Sequence, residues 1–287
     1  MNNTLQKSYP LLAKKFGVIG FWIKHEYLNE SGSHKIRLME FLMKRKKDFV
    51  LSSSGNAAIA AAYYLNRYVK GKSNLTIFVS KNIPLDKWQR LKKAAGNAKN
   101  IVIRKTDRPK QQAFLFSKKH KAALLRGSVE KTSPRAYHSL ARELSKIPGL
   151  KAVFVPTSSG ITALGIHQGF KKLKKKIEIH IVQVEKIHSL AKDFDHDFSL
   201  SKKSLAQGIV DKVGLRKKEV VQAIKESLGS GWIINDQLLK KTRKIYNKEI
   251  DPSFTSYDAL LSLAGVFKAH EKNWPFNGTI CCLFSGY

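Results

Sequence analysis

The sequence predicts an α/β fold built on parallel sheets, and three observations carry the prediction. Short β-branched or apolar runs alternate with longer helical stretches through most of the chain. The connections between them are short and polar, as β-α-β units require. No repeat or low-complexity linker interrupts the alternation over the 287 residues, a length that buries a substantial core in one large or two modest domains.

The elements follow in order. Val18-Ile19-Gly20-Phe21-Trp22-Ile23 has the content of a buried strand. Ile36, Leu38, Met39, Phe41, Leu42 and Met43 form a broad apolar face at helical spacing. Residues 48–52 read as a strand, 56–68 as an alanine-rich helix and 75–80 as a strand. A helix then opens at Pro84, a favoured first-turn residue, before a strand at 100–104 and a helix at 110–121. A second set begins near Pro134, with a helix at 136–146 that ends before Pro148-Gly149 and a fully apolar strand at 152–155. A turn and helix at 160–173 and a strand at 178–184 follow. Residues 186–216 are less regular and are expected to cover a ligand cleft. Helices at 217–228, 236–246 and 257–268 precede an apolar strand at 279–284. The two halves are expected to share the cleft, which in open parallel sheets lies beyond the C-terminal strand ends.

Composition excludes several classes. A hydrophobic fraction of 43% argues against disorder. Met1-Asn2-Asn3-Thr4-Leu5-Gln6-Lys7 lacks the apolar core of a signal peptide, and no apolar run approaches the roughly 18 residues of a membrane span. A cytoplasmic location and no membrane partner are therefore expected. The two cysteines, Cys281 and Cys282, are adjacent inside an apparent strand, which argues against a disulfide framework or a zinc site. His25, His138, His167 and His180 are isolated, so no metal is expected. The unusual quantity is charge: 53 Lys and Arg against 21 Asp and Glu give +32. A field of that size attracts polyanions and anionic metabolites. The charge is dispersed, from Lys44–Lys47 to Lys240-Lys241, with no helix-turn-helix, zinc-finger or RNA-binding aromatic signature. A generally lysine-rich surface is the favoured reading, with nonspecific polyanion binding left open.

Four short segments carry the chemistry. Lys35, in Asn29-Glu30-Ser31-Gly32-Ser33-His34-Lys35, sits near a helix start, where a cation is disfavoured. It is either pushed to the surface or kept for chemistry. Ser52-Ser53-Ser54-Gly55-Asn56-Ala57-Ala58 lies between a strand and a helix. It reads as a plain N-cap or as exposed N–H groups that bind a carboxylate. Val155-Pro156-Thr157-Ser158-Ser159-Gly160-Ile161-Thr162 is a strand entering a small-residue turn that opens a helix, the arrangement of a phosphate cradle. Leu283-Phe284-Ser285-Gly286 follows the last strand and is either a frayed terminus or a placed hydroxyl.

Taken together, Asn-x-x-Gly-Ser-x-Lys after a strand, Ser53-Ser54-Gly55-Asn56, the turn around Gly160 and the closing Ser285-Gly286 resemble fold-type II pyridoxal-phosphate enzymes. That family includes threonine synthase, cysteine synthase, threonine dehydratase and the tryptophan synthase β chain. The resemblance implies two three-layer, parallel-sheet domains with the active site in the cleft between them. Residues 1–39 and 141–287 would form a large cofactor-binding domain, and 40–140 a small substrate-loop domain. It implies pyridoxal 5'-phosphate as cofactor and Lys35 as the Schiff-base lysine and general base. Asn56 would bond the ring hydroxyl, Ser158, Ser159, Gly160, Ile161 and Thr162 would hold the phosphate, and Ser285 would face the pyridine nitrogen. Ser53, Ser54, Asn56 and Ala57 would receive the substrate carboxylate. The reaction implied is elimination or replacement at Cβ or Cγ of an amino acid, threonine synthase-like before other members. A phosphorylated or acidic amino acid would suit the positive field, and a homodimer is expected by the same likeness.

Departures from the family pattern keep a second reading open. Ser158 and Ile161 stand where glycine is usual, and at positive φ an isoleucine would carry strain of about 1–3 kcal/mol. Ile36 replaces the aspartate of threonine synthases, while Arg37 matches the Lys-x-Arg of the dehydratases. The chain stops two residues after Ser285, where relatives continue with another helix. The alternative is a catalytically reduced member kept as a basic binding protein for nucleic acid or an acidic partner.

Overall fold

The structure is a computed structural model that describes residues 3–44, 47–53, 55–69 and 73–287. The chain forms two units, Met1–Leu28 with Pro134–Tyr287, and Asn29–Ser133. The sequence reading set these boundaries at 39/40 and 140/141. The difference arises because the helix carrying Lys35 packs on the helix that follows Gly55 and so belongs with residues 29–133.

In the first unit, β1 (Gln6–Ser8) is antiparallel to β2 (Gly20–His25), with α1 (Pro10–Phe16) between them. In the second, α2 (Lys35–Leu42) leads into β3 (Phe49–Ser52), α3 (Asn56–Tyr64), β4 (Leu75–Ser80), α4 (Leu85–Ala95), β5 (Ile101–Thr106), α5 (Pro109–His120) and β6 (Ala123–Leu124). The chain then returns to the first unit through α6 (His138–Leu144), β7 (Leu150–Pro156), α7 (Ile161–Lys172), β8 (Glu178–Val184), α8 (Lys217–Glu226), β9 (Gly231–Ile234), α9 (Asp236–Glu249), α10 (Tyr257–Glu271) and β10 (Thr279–Phe284).

Among the described residues of the first unit, six strands pair in the order β1-β2-β10-β7-β8-β9, parallel except for β1. Alternation along the strands divides their side chains between two faces. Phe21, Ile23, Phe154, Val182, Val184, Ile280, Cys282 and Phe284 join α1, α9 and α10 in one core. The alternate residues Val153, Val155 and Ile181 are also fully buried, toward the face where α7 and α8 pack on β8. The sheet is thus covered on both sides, as parallel sheets are. Asn235 and Ser256 start α9 and α10 by accepting the N–H groups of Leu238 and Ala259 at 2.7 and 3.2 Å.

In the second unit the order is β5-β4-β3-β6, all parallel. Here α5 packs along the sheet, while α3, with its alanines 58 and 60–62 buried, packs on both α2 and α4. The helix read over 56–68 ends at Tyr64 and continues as a π-helical turn, Leu65–Val69. That turn buries Leu65 and brings the Tyr68 hydroxyl to Glu30, in the loop ahead of Lys35.

Residues 186–216 contain, among the described residues, one short helical turn at Ala191–Asp193. Side chains replace the missing regular structure, as buried backbone groups require. Gln183 accepts the N–H groups of Leu190 and Ala191 at 2.8 Å, and Asp258 that of Gly208 at 2.8 Å. Lys268 donates to Asp195, to the Asp197 carbonyl and to the Ile233 carbonyl at 2.6, 2.6 and 2.9 Å.

The edge of the first unit is fixed by a buried ion pair. Lys24 on β2 is 1% exposed and meets Glu143 on α6 at 2.7 Å, with a second bond to the Thr4 carbonyl at 2.7 Å. Removing one partner strands the other charge in a dry site. Glu143→Ala is therefore expected to cost about 3 kcal/mol of unfolding free energy in urea titrations, whereas Lys24→Met with Glu143→Leu should recover most of it.

Candidate active site

The proposed site residues fall into two groups, one in each unit. In Asn29–Ser133, Lys35 is the first residue of α2. The loop before it is a turn closed by the Gly32 N–H to the Asn29 carbonyl at 2.7 Å, with Gly32 at φ +76°. Ser33, fully buried, accepts the Lys35 N–H at 3.4 Å in a local serine turn just ahead of the helix. Lys35 as a residue is half-buried, but its amine end is enclosed by protein, and that desolvation pulls it down to about 8 from 10.5. About a tenth of it is then neutral at pH 7, against well under a thousandth for an ordinary lysine.

Asn56 and Ala57 open α3, which packs directly on α2. Ser53 accepts the Gly55 N–H at 3.2 Å, which turns the chain out of β3 toward the helix. Ser54 lies outside the described residues. The start of α3 thus offers the amide-rich, carboxylate-free surface that an anionic group needs.

In the other unit the phosphate-cradle turn follows β7 and leads into α7. Gly160 caps the helix at φ +84°, and a Cβ there would lie 2.4 Å from Val220 Cγ2, so both backbone and space demand glycine. Ile161 is buried and is not among the described residues with positive φ, so the strain considered for an isoleucine there is absent. Ser158 has a role the sequence did not show. Its Oγ accepts the N–H groups of Val210 and Asp211, each at 3.0 Å, and so pins the irregular segment beside the turn. Its hydroxyl proton stays available for donation. Thr162 is buried and Ser159 half-buried at the same helix start. A twelve-residue helix opening on hydroxyls and amides, with no carboxylate in the turn, fits a phosphate group.

Register brings Ser285 to the same edge. Cys282 of β10 pairs with Phe154 of β7, so these neighbouring parallel strands end together, and Ser285 and residues 157–162 leave the sheet side by side. Ser285 is 8% exposed. The edge also holds a group that the sequence reading set aside as isolated. Phe284 pairs with His25 at the end of β2, whose imidazole joins Tyr9 at 2.9 Å and Tyr27 at 3.2 Å. Burial, with the nearby Lys7 and Lys24, lowers His25 to about 4, so it is neutral at pH 7. Only strand pairing places it beside Phe284, the residue before Ser285, and no linear motif carries that signal.

Cys281 and Cys282 are free and buried, and desolvation raises both thiols, Cys281 to about 12. Neither is a reactive thiolate. Among the described residues no group of three or more His, Cys, Asp and Glu side chains could hold a metal ion, and no helix is long and apolar enough to cross a membrane.

Two outcomes follow from the geometry. The folded pKa of Lys35 lies below its unfolded value, so burial of the charged form costs stability below about pH 8, and the cost disappears above about pH 10.5. Lys35→Met should accordingly raise the melting temperature of the cofactor-free protein at pH 7, by an amount that fades as the pH passes 10. Gly160→Ala should destabilise the protein by about 1–3 kcal/mol, and adding Val220→Ala should restore only part, since the backbone strain persists.

No curated protein matches the chain in sequence. Solved structures do match it in fold. Maize serine racemase superposes with a TM-score of 0.80 at 18% identity, over 99% of this chain and 88% of that one. Threonine deaminase isoform 2 from Solanum lycopersicum gives 0.80 at 18% over 99% and 79%. The L-serine ammonia-lyase of Rhizomucor miehei gives 0.75 at 14% over 99% and 93%. The family model described as pyridoxal-phosphate dependent enzyme matches residues 3–286. With that match over nearly its whole length, the chain belongs to the pyridoxal-phosphate-dependent enzymes of fold type II, and pyridoxal 5'-phosphate is its cofactor.

Proposed function

We propose that the protein is a lyase or synthase that removes or replaces a group at Cβ or Cγ of an amino acid. One observation carries the reading: the side chain that follows β10, next along the sheet edge to the Gly160 turn, is a hydroxyl and not a carboxylate. A carboxylate there would hold a ring nitrogen protonated, whereas the Ser285 hydroxyl would not. When bound, the cofactor supplies delocalisation of the electron pair left at Cα, and a neutral ring does so less strongly. That balance suits departure of a leaving group from the side chain over transamination.

The chain's own residues divide the remaining work. Ser158, Ser159 and Thr162, with the N–H groups at Gly160 and Ile161, would hold the phosphate. Asn56 would take the ring hydroxyl. Ser53, Ser54, Asn56 and Ala57 would receive the substrate carboxylate at the start of α3. Lys35 would anchor the cofactor and, once freed, take the Cα proton on Nζ. Its lowered pKa provides the neutral amine for both tasks at ordinary pH.

Two substrate classes are supported by different observations. Lys35-Ile36-Arg37 and the fold of structures named for serine and threonine chemistry favour elimination at Cβ of a hydroxy amino acid. The serine-asparagine turn ahead of the alanine-rich α3 favours a threonine synthase-like reaction at Cγ, and the positive field suits its phosphorylated substrate. Incubation of the loaded enzyme with L-serine, L-threonine and O-phospho-L-homoserine separates them. The first class yields 2-oxo acid and ammonia from serine or threonine; the second releases inorganic phosphate with threonine. Lys35→Ala should abolish either activity. Turnover of none of these, with cofactor bound, would favour a catalytically reduced member.

A further inference from the structure

The edge of the second unit carries a strip that the proposed reaction does not use. Residues 29–133 hold 24 Lys and Arg against 6 Asp and Glu, whereas the whole chain holds 53 against 21, so the positive charge is concentrated in this unit. Its sheet ends at β5, an edge strand with one side unpaired. Along β5 the exposed Arg104 and Lys105 point to opposite faces, each over an aromatic ring. Lys105 Nζ lies 4.4 Å from the centre of Trp88 on α4, with Lys92 at 5.9 Å. The Arg104 guanidinium lies 5.5 Å from the centre of Phe116 on α5, and Lys118 5.7 Å from that of Phe114. Phe114 is 51% exposed. Among the described residues, none of these four cations is paired with a carboxylate.

Charges on an edge strand have a plain structural use, since they keep other strands from adding to the sheet. That use needs the charges alone. It does not account for rings interleaved with them on both flanking helices, one ring of which faces solvent. Cations that neutralise phosphates, spaced by rings that offer stacking faces, are what single-stranded nucleic acid binds without reading its sequence. The six residues of β5 extend about 20 Å, the reach of a short run of nucleotides. No helix is required to enter a groove, and a flat edge suits a strand whose bases are open.

We propose that the β5 edge, with Trp88, Arg104, Lys105, Phe114 and Lys118, is a binding surface for single-stranded nucleic acid, separate from the residues that serve the cofactor. The test is fluorescence anisotropy of labelled oligo(U) and oligo(dT), about 15 nucleotides long, with the full-length, cofactor-loaded protein. Binding should weaken with salt, with a log–log slope of about −0.7 for each phosphate neutralised. Arg104→Glu with Lys105→Glu should weaken it ~10-fold or more while the cofactor absorption spectrum is unchanged. Phe114→Ala, which leaves the charge intact, should weaken it ~5-fold or more through lost stacking. Lys175→Glu with Lys176→Glu, the same charge change at exposed positions of the other unit, should have little effect. The proposal is overturned by no binding at low ionic strength, or by equal losses in the two charge-reversal variants, which would mark a diffuse field. Equal, strip-dependent binding to anionic phospholipid vesicles would overturn the choice of nucleic acid as partner.

Discussion

The candidate site residues of the first unit depend on the parallel pairing of β10 with β2 and β7. Because β10 is the last strand in the chain yet lies in the middle of the sheet, its end is held between elements separated from it by more than a hundred residues. The pairs Phe284 with His25 and Cys282 with Phe154 set how far each strand projects. Slipping β10 by one residue would turn its side chains to the opposite face and withdraw Ser285 from the edge that carries the Gly160 turn. The buried Cys282, Phe284 and α10 residues oppose that slip, so packing and chemistry select the same register.

The second unit holds one lysine apart from the rest in a protein with 53 cationic side chains. Most of these lie exposed to solvent. Lys35 differs because burial of its amine removes the water that stabilises the ammonium form. The Asn29–Gly32 turn and the buried Ser33 hold it at the start of α2, and the contact between Tyr68 and Glu30 ties the same loop to the π-helical turn after α3. The net charge of +32 is not the cause of that lowering. It acts at longer range, on anions approaching the surface.

The sequence made the alternation of strands and helices legible, because long helices and apolar strands carry their periodicity locally. The strands 75–80, 178–184 and 279–284 coincide with β4, β8 and β10. Four elements escaped: β1, α1, β6 and β9, which are short or depend on a distant partner, as β1 depends on β2. That Lys35, Asn56 and Gly160 stand at helix starts and Ser285 just past a strand was readable because such junctions show in composition. The bonds that Ser158 accepts were not, since the N–H groups lie about fifty residues away. Nor was the relaxed backbone of Ile161, because the turn places its single left-handed residue at Gly160. His25 shows the same limit, since its neighbours are defined by register rather than by spacing.

The central claim is that Lys35, among all the lysines of this chain, is the one that joins the cofactor. Reduction of the loaded protein with borohydride, followed by proteolysis and mass spectrometry, tests it directly. The account predicts a stable phosphopyridoxyl group on Lys35 at about one equivalent, with absorption lost on reduction. Modification spread over surface lysines, or one equivalent at a different lysine, would contradict it.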